Sequence, residues 1–312
     1  MKEKRIEKVI EIGSGTRRQI QLIQLEILVE IDSICRKHHI NYRLIGGTLL
    51  GAVRHKGFIP WDPDVDISMS RSAYSNFFEV CKKELDESRF FLQEWRTDPN
   101  YRWNYARVLR KDTVFQRAGH EHLNQKTGIF VDIICSDTVP DSPTLRPLHC
   151  FSCFAIRKIL WSKVGKKLHE NWFMRRWYTI LSWIPRNAVF RYRDWVISWA
   201  GENPTQLIRN MAHEVSKNSS SRWGYQVADI DMAWKFKNGE LPWDYSSTDL
   251  EFEGRYFMAL KTYDLVLKTA FTNYMELPPK EKRVSHIPCS KLKLVVPDLD
   301  DFEELMLKQY NE

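Results

Sequence analysis

Apolar residues at the start of the chain recur at helical spacing. Between residues 17 and 38 they lie mostly three or four positions apart, which predicts one amphipathic helix that ends in a polar segment. Residues 42–45 resemble a short strand, which breaks at Gly46-Gly47-Thr48, and a second helix is predicted from Leu49. The predicted order is therefore helix, strand, glycine turn and helix.

Alternating apolar and polar residues follow a proline-containing turn at 60–63. The alternation covers residues 64–69 and predicts a strand that carries Asp64 and Asp66 on the same face. Later patterns predict a helix at 72–85, strands at 90–95, 103–109 and 113–116, a buried strand at 128–134, short strands around 252–258 and a helix at 263–274. Such a mixture predicts the α+β class.

Charge and tryptophan are concentrated between residues 145 and 199. The chain has a formal net charge of +7, and this segment holds eleven Lys and Arg against two acids, with six of the 12 tryptophans. Basic residues interleaved with aromatic ones favour an anionic membrane surface. Nucleic acid binding needs a similar composition, although we expect no nucleic acid partner. The plain structural alternative is a solvated helical hairpin with tryptophan in its core.

Bulk properties exclude several classes of protein. The chain has 312 residues, 43% of them hydrophobic and 28% charged, which is typical of a folded globular protein rather than a disordered one. No apolar stretch approaches the ~20 residues that a bilayer span needs. The first residues contain no apolar signal segment, and the six cysteines are scattered. We expect a cytoplasmic protein with reduced thiols, peripheral at the inner membrane face.

Three carboxylates form the candidate chemical site. Asp64 and Asp66, two apart on a strand, suit a pair of Mg²⁺ or Mn²⁺ ions, which prefer oxygen ligands. The Asp-x-Asp pattern alone is weak, because ordinary surface strands also carry it. Asp132 strengthens it, since a lone acid in an apolar strand is costly to bury without a metal or a partner. The alternative for Asp132 is capping a helix or pairing with an arginine.

Other candidates lie where phosphates would be bound. Gly47 and Thr48, at a strand-to-helix junction, offer backbone N–H groups, a hydroxyl and the positive end of a helix. Arg54, His55 and Lys56 follow as three possible cations, which could neutralise charge on a leaving group. Arg107 and Arg110 could act likewise. The alternatives are an ordinary turn and ordinary surface residues.

The residues from Gly47 to Ile67 resemble the signature of the LicD family, which also includes the fukutin-related transferases. The segments 105–107, 128–133, 252–255 and 274–279, with Arg283 and His286, are similar to further blocks of that family in the same order. The resemblance runs from about residue 17 to about residue 286. It is weakest in the basic segment.

The resemblance implies a nucleotidyltransferase-like mixed sheet flanked by helices. Composition adds a basic, aromatic helical insertion, so the predicted domains are a catalytic core at 1–140, the insertion at 141–222, in contact with a membrane or the acceptor, and a C-terminal part at 223–312 that completes the core. The implied activity transfers a phospho-headgroup from a CDP-linked donor to a glycan or a lipid-linked glycan. The headgroup is phosphocholine in the best-known members and ribitol phosphate in the fukutin-related ones.

The resemblance also assigns roles to residues. Asp62, Asp64 and Asp66 fall on the acidic cluster of the family and, with Asp132, are the implied metal ligands. Asp64, Asp66 and Asp132 are the implied catalytic set, in which Asp132 also helps to deprotonate the acceptor. The implied donor-binding residues are Gly47, Thr48, Arg54, His55, Lys56 and Arg107. Aromatic side chains at Trp61, Trp103 and Tyr105 would suit a quaternary ammonium group.

Two positions depart from the family pattern, and two other functions remain open. Pro63 stands where many members have Asp, and Phe271-Thr272-Asn273 replaces a common Tyr-Gly-Asp, which leaves donor or acceptor details in doubt. One alternative is a nucleotidyltransferase that transfers a nucleoside monophosphate. The other is an inactive protein that binds a glycan or a nucleotide.

Cys150 and Cys153 have the spacing of metal ligands, with His149 beside them and Cys289 far downstream. A single CxxC pattern is thin support for zinc. Packed thiols are the favoured interpretation, and a structural zinc is the alternative.

Overall fold

A computed structural model describes residues 9–307 except 139, 141, 143, 200–207, 211–245, 272 and 285–287. The helices are α1 (Ser14–Lys37), α2 (Gly46–His55), α3 (Arg71–Glu84), α4 (Leu145–Leu168), α5 (Trp172–Leu181), α6 (Arg186–Ser198), α7 (Tyr263–Phe271) and α8 (Phe302–Leu307). The strands are β1 (Arg43–Leu44), β2 (Asp66–Ser70), β3 (Phe90–Gln93), β4 (Ala106–Arg110), β5 (Val114–Arg117), β6 (Phe130–Thr138), β7 (Ile208–Asn210), β8 (Ser247–Phe252), β9 (Arg255–Leu260) and β10 (Cys289–Lys293).

A mixed sheet organises the first half of the chain. Its strands lie in the order β1-β2-β6-β4-β3, and β7 pairs with the far end of β6. The pair β2–β6 is parallel, whereas the other pairs of this sheet are antiparallel. Helices and a mixed sheet together confirm the predicted α+β class.

Helix α1 lies at the centre of the protein. It packs against β4 and β6 of the sheet and against α3 and α8. Its apolar residues are buried as the periodicity predicts, but polar residues are buried as well. Gln24 donates to the carbonyl of Phe130 (3.0 Å), and both carboxylate oxygens of Glu26 accept from Arg110 Nε (3.1 and 2.9 Å). These hydrogen bonds make the burial of the Gln24 amide nitrogen and of the Glu26 carboxylate tolerable.

Strands β8 and β9 form a hairpin with the two-residue turn Glu253-Gly254. Both turn residues have positive φ (54° and 74°), as tight hairpin turns of the primed types require. The Glu253 carboxylate is buried and binds the Arg18 guanidinium of α1 (2.8 and 3.0 Å) and the backbone N–H of Phe58 (3.0 Å). The hairpin thereby fixes the start of α1 and the segment that follows α2.

Helices α4, α5 and α6 lie in the segment that is predicted to be a helical insertion, which is called the insertion below. A small apolar core of its own joins α4 to α6 and includes Ile156 and Phe190. The Phe190 ring stacks on Trp95, which follows β3, with ring centroids 4.9 Å apart. Arg186 donates to two backbone carbonyls of the segment between β3 and β4. Helix α4 begins at Leu145 and takes Pro147 into its first turn, where proline is tolerated. The predicted boundary at 222 lies outside the described residues.

The tryptophans of the insertion are mainly on its surface. Trp172, Trp177, Trp183 and Trp195 are 50–73% exposed, which does not fit the alternative of a hairpin with tryptophan in its core. No helix in the described part of the chain is both long and apolar enough to cross a membrane.

Candidate active site

Three charged side chains occupy matching positions on three neighbouring strands. Asp66 of β2 is the register partner of Asp132 of β6, and Asp132 is also the register partner of Arg107 of β4. Side chains at matching positions of adjacent strands point to the same face of a sheet. The Arg107 guanidinium donates to Asp132 through Nε–Oδ1 (2.6 Å) and Nη2–Oδ2 (3.3 Å). Pairing with an arginine, one of the alternatives for Asp132, is therefore observed.

Asp62 and Asp64 lie just before β2 and complete an acidic cluster. The strand starts at Asp66, so Asp64 is not part of the alternating strand that the pattern predicts. Burial, the Asp64 charge and a hydrogen bond to Asp64 raise the pKa of Asp62 to about 9. Burial and the charges of Asp64, Asp132 and Asp62 raise the pKa of Asp66 well above its usual value. Four carboxylates so close together repel one another when all are ionised, so they need bound protons or a bound cation.

The glycine turn at residues 46–48 lies next to Asp62 and Asp66. Gly46 has φ +53° and opens α2, so the helix starts three residues before the predicted Leu49. A Cβ atom on Gly47 would lie 2.4 Å from Asp62 Oδ2, so any larger residue there requires the Asp62 carboxylate to shift. The buried Thr48 hydroxyl accepts a hydrogen bond from the backbone N–H of Asp66 (2.9 Å). The turn therefore packs against Asp62 and Asp66, and its predicted contact with phosphates stays a prediction.

The predicted cations after the turn have other surroundings. Arg54 donates to the carbonyls of Tyr274 (2.9 Å) and Glu276 (3.2 Å) and so holds the segment after α7. Burial and the Arg54 charge lower the pKa of His55 to about 4, which favours its neutral form, and its predicted role at the donor stays a prediction. Lys56 caps α2 in the left-handed conformation (φ 57°).

None of Arg54, His55 and Lys56 lines the cavity onto which the acids open. Their predicted contact with the donor therefore has no support from the geometry. Arg110 is likewise engaged elsewhere, by Glu26 of α1.

The cavity beside the acids has a volume of about 430 Å³. Asp64, Asp66, Asp132 and Arg107 line one side of it. Its other walls are largely aromatic or basic and include Trp103, Tyr105, Phe115, Phe130, Arg117, His120, Lys126 and Trp161. The predicted aromatic residue Trp61 does not line it, because its ring lies against His55 and Arg283.

Sequence reasoning missed Trp161 and His120 as residues of this site. Trp161 lies on α4 and lines the cavity beside the acids. His120 stacks on Trp103 with centroids 5.6 Å apart, and burial together with Arg117 and Arg107 lowers its pKa to about 4. No local pattern marks either residue, because both reach the site through contacts between distant segments.

The acidic cluster offers hard oxygen donors of the kind that Mg²⁺ and Mn²⁺ prefer. Its raised pKa values result from carboxylates crowded together, which a bound cation relieves. In the described residues, however, no three Asp, Glu, His or Cys side chains are arranged to hold a metal ion together. A hydrogen bond links Asp62 to Asp64, and Arg107 engages Asp132. The donor set thus fits a divalent cation chemically, and the metal ligands stay a prediction.

The Cys150–Cys153 pair lies within α4 rather than in a metal-binding loop. Cys153 and His149 are buried one turn apart, with Sγ 3.8 Å from Nδ1. Cys289 lies on β10, which pairs with β5. The described residues contain no group of ligands for zinc here.

Comparison with known proteins first gives the class of the domain that carries the acids. Residues 39–133, which contain the glycine turn, the acidic cluster and Arg107, match the family described as LicD/FKTN/FKRP, nucleotidyltransferase domain. The chain therefore carries a LicD-family domain, as the sequence resemblance indicates.

Relatives extend the similarity beyond this domain. The chain is 28% identical over 279 residues to the lipopolysaccharide cholinephosphotransferase LicD of Haemophilus influenzae, across 87% of this chain and 96% of that protein. It is also 38% identical over 96 residues to an uncharacterized protein of Rickettsia prowazekii, which covers 25% of this chain and 35% of that protein. A similar uncharacterized protein of Rickettsia typhi is 36% identical over 64 residues, 20% of each chain.

Proposed function

We propose that this protein transfers phosphocholine from a CDP-linked donor to a hydroxyl of a cell-surface glycan or its lipid-linked precursor. The similarity to the Haemophilus influenzae cholinephosphotransferase along 96% of that protein supports the chemical class. The observation that carries the proposal is the cluster of Asp64, Asp66 and Asp132, next to Arg107, on one side of a cavity of about 430 Å³.

Asp62, Asp64 and Asp66 would hold the divalent cation, Mg²⁺ or Mn²⁺. Bound there, the cation would neutralise the donor's phosphate oxygens and stabilise the charge that develops on the leaving group. Gly47 and Thr48 keep Asp62 and Asp66 in place for this role. Groups that contact metal-binding carboxylates in this way commonly decide how well those carboxylates bind metal ions.

Asp132 and Arg107 would act on the acceptor side. The acceptor oxygen attacks the phosphorus that bears choline, the pyrophosphate bond breaks, and CMP leaves. The proton of the acceptor hydroxyl passes to Asp132 at the carboxylate oxygen that lies farther from Arg107, Oδ2 (3.3 Å). Arg107 fixes the orientation of Asp132 and adds a positive charge near the phosphates.

The aromatic walls of the cavity suit the choline headgroup. A quaternary ammonium is attracted to the faces of Trp and Tyr rings. Trp103, Tyr105 and Trp161 line the cavity that the acids share, whereas Trp61 does not. A ribitol phosphate headgroup has no cation for these rings to attract, and is therefore the second choice.

The insertion would attach the protein to an anionic membrane surface. Its exposed side chains combine large apolar groups, such as Phe151, Phe173 and Trp183, with exposed Arg176 and Arg191. Exposed apolar groups flanked by bases suit the boundary between lipid headgroups and acyl chains. Attachment there would bring the active site close to a lipid-linked acceptor at the inner membrane face.

The test is release of CMP from CDP-choline and from CDP-ribitol in the presence of Mg²⁺ and a glycan acceptor. We expect CMP from CDP-choline, strong loss in Asp64→Ala and Asp66→Ala, and an unchanged rate in Asp298→Ala, which alters an exposed acid far from the site along the chain. Undiminished turnover in both site variants would remove the assignment. Pyrophosphate as the product would indicate a nucleotidyltransferase, and no product with retained ligand binding would indicate an inactive binding protein.

A further inference from the structure

The row of charged side chains across the sheet continues onto a fourth strand. Gln93 of β3 is the register partner of Arg107, which is in turn the register partner of Asp132. Side chains at matching positions of adjacent strands point to the same face of a sheet, so Gln93 points to the face that carries the acids. Gln93 also lines the cavity of about 430 Å³ that the acids and Arg107 line. It extends the site by one strand, on the side away from Asp66.

The side-chain amide of Gln93 has a fixed orientation. Its Nε2 donates to the Asp98 carboxylate (2.7 Å) and to the backbone carbonyl of Lys126 (2.9 Å). A carboxylate and a carbonyl only accept hydrogen bonds, so a flipped amide would place its own oxygen against two other oxygens. Asp98 is itself held by the backbone N–H groups of Asn100 (2.9 Å) and Lys126 (2.8 Å). The surroundings of Gln93 therefore distinguish its amide nitrogen from its amide oxygen.

The amide oxygen of Gln93 is an acceptor without a donor. Gln93 is buried, and its Oε1 has no hydrogen-bond partner among the described residues. The buried Oε1 of Gln125, which also lines the cavity, lacks a partner among them as well. A buried acceptor that is left unpaired costs free energy, which a ligand that donates a hydrogen bond recovers. This end of the cavity therefore suits a ligand that presents an amino or a hydroxyl group.

The distance along the row indicates which part of the donor lies beside Gln93. Strand β3 is three strands away from β2, so the backbones at Gln93 and Asp66 are roughly 14 Å apart at the usual strand spacing. With the pyrophosphate at the acids, choline is only a few bonds from its phosphate, whereas the base of the nucleotide lies beyond a whole ribose. The base therefore reaches the β3 end of the cavity, and choline stays near the phosphates.

Cytosine presents the hydrogen-bond donor that these oxygens lack. Its exocyclic amino group donates two hydrogen bonds, whereas uracil has a carbonyl oxygen at the same position. A carbonyl opposite the Oε1 of Gln93 would be repelled, and the fixed amide cannot flip to relieve the repulsion. A quaternary ammonium has no N–H to donate. The flat ring of Phe115, which also lines the cavity, suits a flat base.

We propose that Gln93, together with Gln125, selects cytosine over uracil in the nucleotide donor by accepting hydrogen bonds from the amino group of the base. This inference rests on the proposed function for the use of a nucleotide donor, and it adds the residues that distinguish the base. Because these residues bind the base and not the reacting phosphate, their loss changes the discrimination between nucleotides and leaves the acid cluster intact.

The experiment compares two nucleotides that differ only in the hydrogen-bonding edge of the base. The full chain is titrated with CMP and with UMP in the presence of Mg²⁺ by isothermal calorimetry, and the ratio of the two dissociation constants is determined for each variant. We expect the wild-type protein to bind CMP at least about tenfold more tightly than UMP, because a site that hydrogen-bonds a group rejects the analogue that lacks it. In Gln93→Met, which keeps the length of the side chain and removes the acceptor, the ratio should fall to near one.

Gln24→Met is the matched control. Gln24 is a buried glutamine of α1 whose Oε1 also lacks a partner in the described part of the chain, but it does not line the cavity. We expect this variant to keep the wild-type ratio. Because the ratio is taken within one variant, a loss of folded protein does not imitate the effect. Gln125→Met leaves the hydrogen bonds of Gln93 intact and should lower the ratio as well.

Three results would overturn the inference. They are equal binding of CMP and UMP by the wild-type protein, an unchanged ratio in Gln93→Met, and an equal fall of the ratio in Gln24→Met. Should Gln93→Met fail to fold, the wild-type ratio and Gln125→Met decide. An unchanged ratio together with weaker binding of CDP-ribitol in Gln93→Met would assign Gln93 to the headgroup instead.

Failure of the proposed function gives a different result. If the protein releases CMP from CDP-choline but binds CMP and UMP equally, only the inference about Gln93 and Gln125 is overturned. If it releases no CMP and binds neither nucleotide, it uses no nucleotide donor, and both proposals are overturned.

Discussion

Asp66 and Asp132 are register partners on the parallel strands β2 and β6, although they lie far apart in the sequence. The parallel pairing matters because it requires the chain to cross over between the two strands, and the crossover contains α3, β3, β4 and β5. Arg107 comes from that crossover and joins the pair from the other side of Asp132.

The first prediction concerns the partly buried ion pair of Arg107 and Asp132. We expect Arg107→Ala to lower the free energy of unfolding by about 1–3 kcal/mol, because it leaves the partly buried Asp132 carboxylate without its guanidinium partner beside Asp66. Urea denaturation followed by circular dichroism measures the change. Lys37→Ala, which removes an exposed ion pair with Glu84, is the control and should barely move the transition. Similar midpoints for the two variants would contradict the structural role of Arg107.

The second prediction concerns the close contact of Gly47 with Asp62. In Gly47→Ala the new methyl group must displace the Asp62 carboxylate, whose Oδ2 would be 2.4 Å away. We expect folding to persist, because a side chain can move aside, and CMP release to fall on the order of 100-fold, since small misplacements of site groups are costly. Gly15→Ala, with nothing within 4 Å, is the control. Wild-type CMP release by Gly47→Ala would show that the position of Asp62 is unimportant.

The third prediction concerns the pH dependence of stability. Because the pKa of Asp62 is raised to about 9, the folded protein binds more protons than the unfolded chain between about pH 4 and about pH 9. The free energy of unfolding should therefore fall as the pH rises through this window when divalent cations are chelated. Thermal melts across the window measure it. In Asp62→Asn the slope should be smaller.

Added Mg²⁺ should also reduce that slope, because cation binding stabilises the ionised carboxylates of Asp62 and Asp66. Thermal melts of the protein in chelator, without Ca²⁺ or Mg²⁺, provide the reference slope. If Mg²⁺ leaves both the slope and the melting temperature unchanged across the whole pH range, the cation site at these acids is excluded.

The fourth prediction concerns the surface of the insertion. Replacing Trp172 and Trp177 by Ser, or reversing the charge of Arg175 and Arg176 to Glu, should release the protein from vesicles that contain anionic lipid. The reason is that each change removes one of the two components of binding, apolar insertion or electrostatic attraction. Co-sedimentation with vesicles measures the bound fraction.

The control for vesicle binding reverses an equal charge on another surface. Lys82→Glu with Lys83→Glu alters two exposed lysines of α3. We expect vesicle binding to survive this change. Equal loss in the α3 and α5 variants would mean that overall charge, rather than the insertion, determines the attachment.

The sequence by itself determined the position of most elements, because the hydrophobic spacing of a helix or a strand is local. The helix predicted at 17–38 is α1, and the buried strand predicted at 128–134 is the first part of β6. It also marked Asp64, Asp66 and Asp132 as acids of one site, since a lone carboxylate in an apolar strand needs compensation. These conclusions required only neighbours along the chain.

Only the tertiary structure decided which groups surround those acids. Arg107 meets Asp132 through the strand register, Trp161 reaches the same cavity from α4, and burial lowers the pKa of His55. Local spacing cannot predict such contacts, because the partner of a side chain and its exposure to water depend on how distant segments pack together.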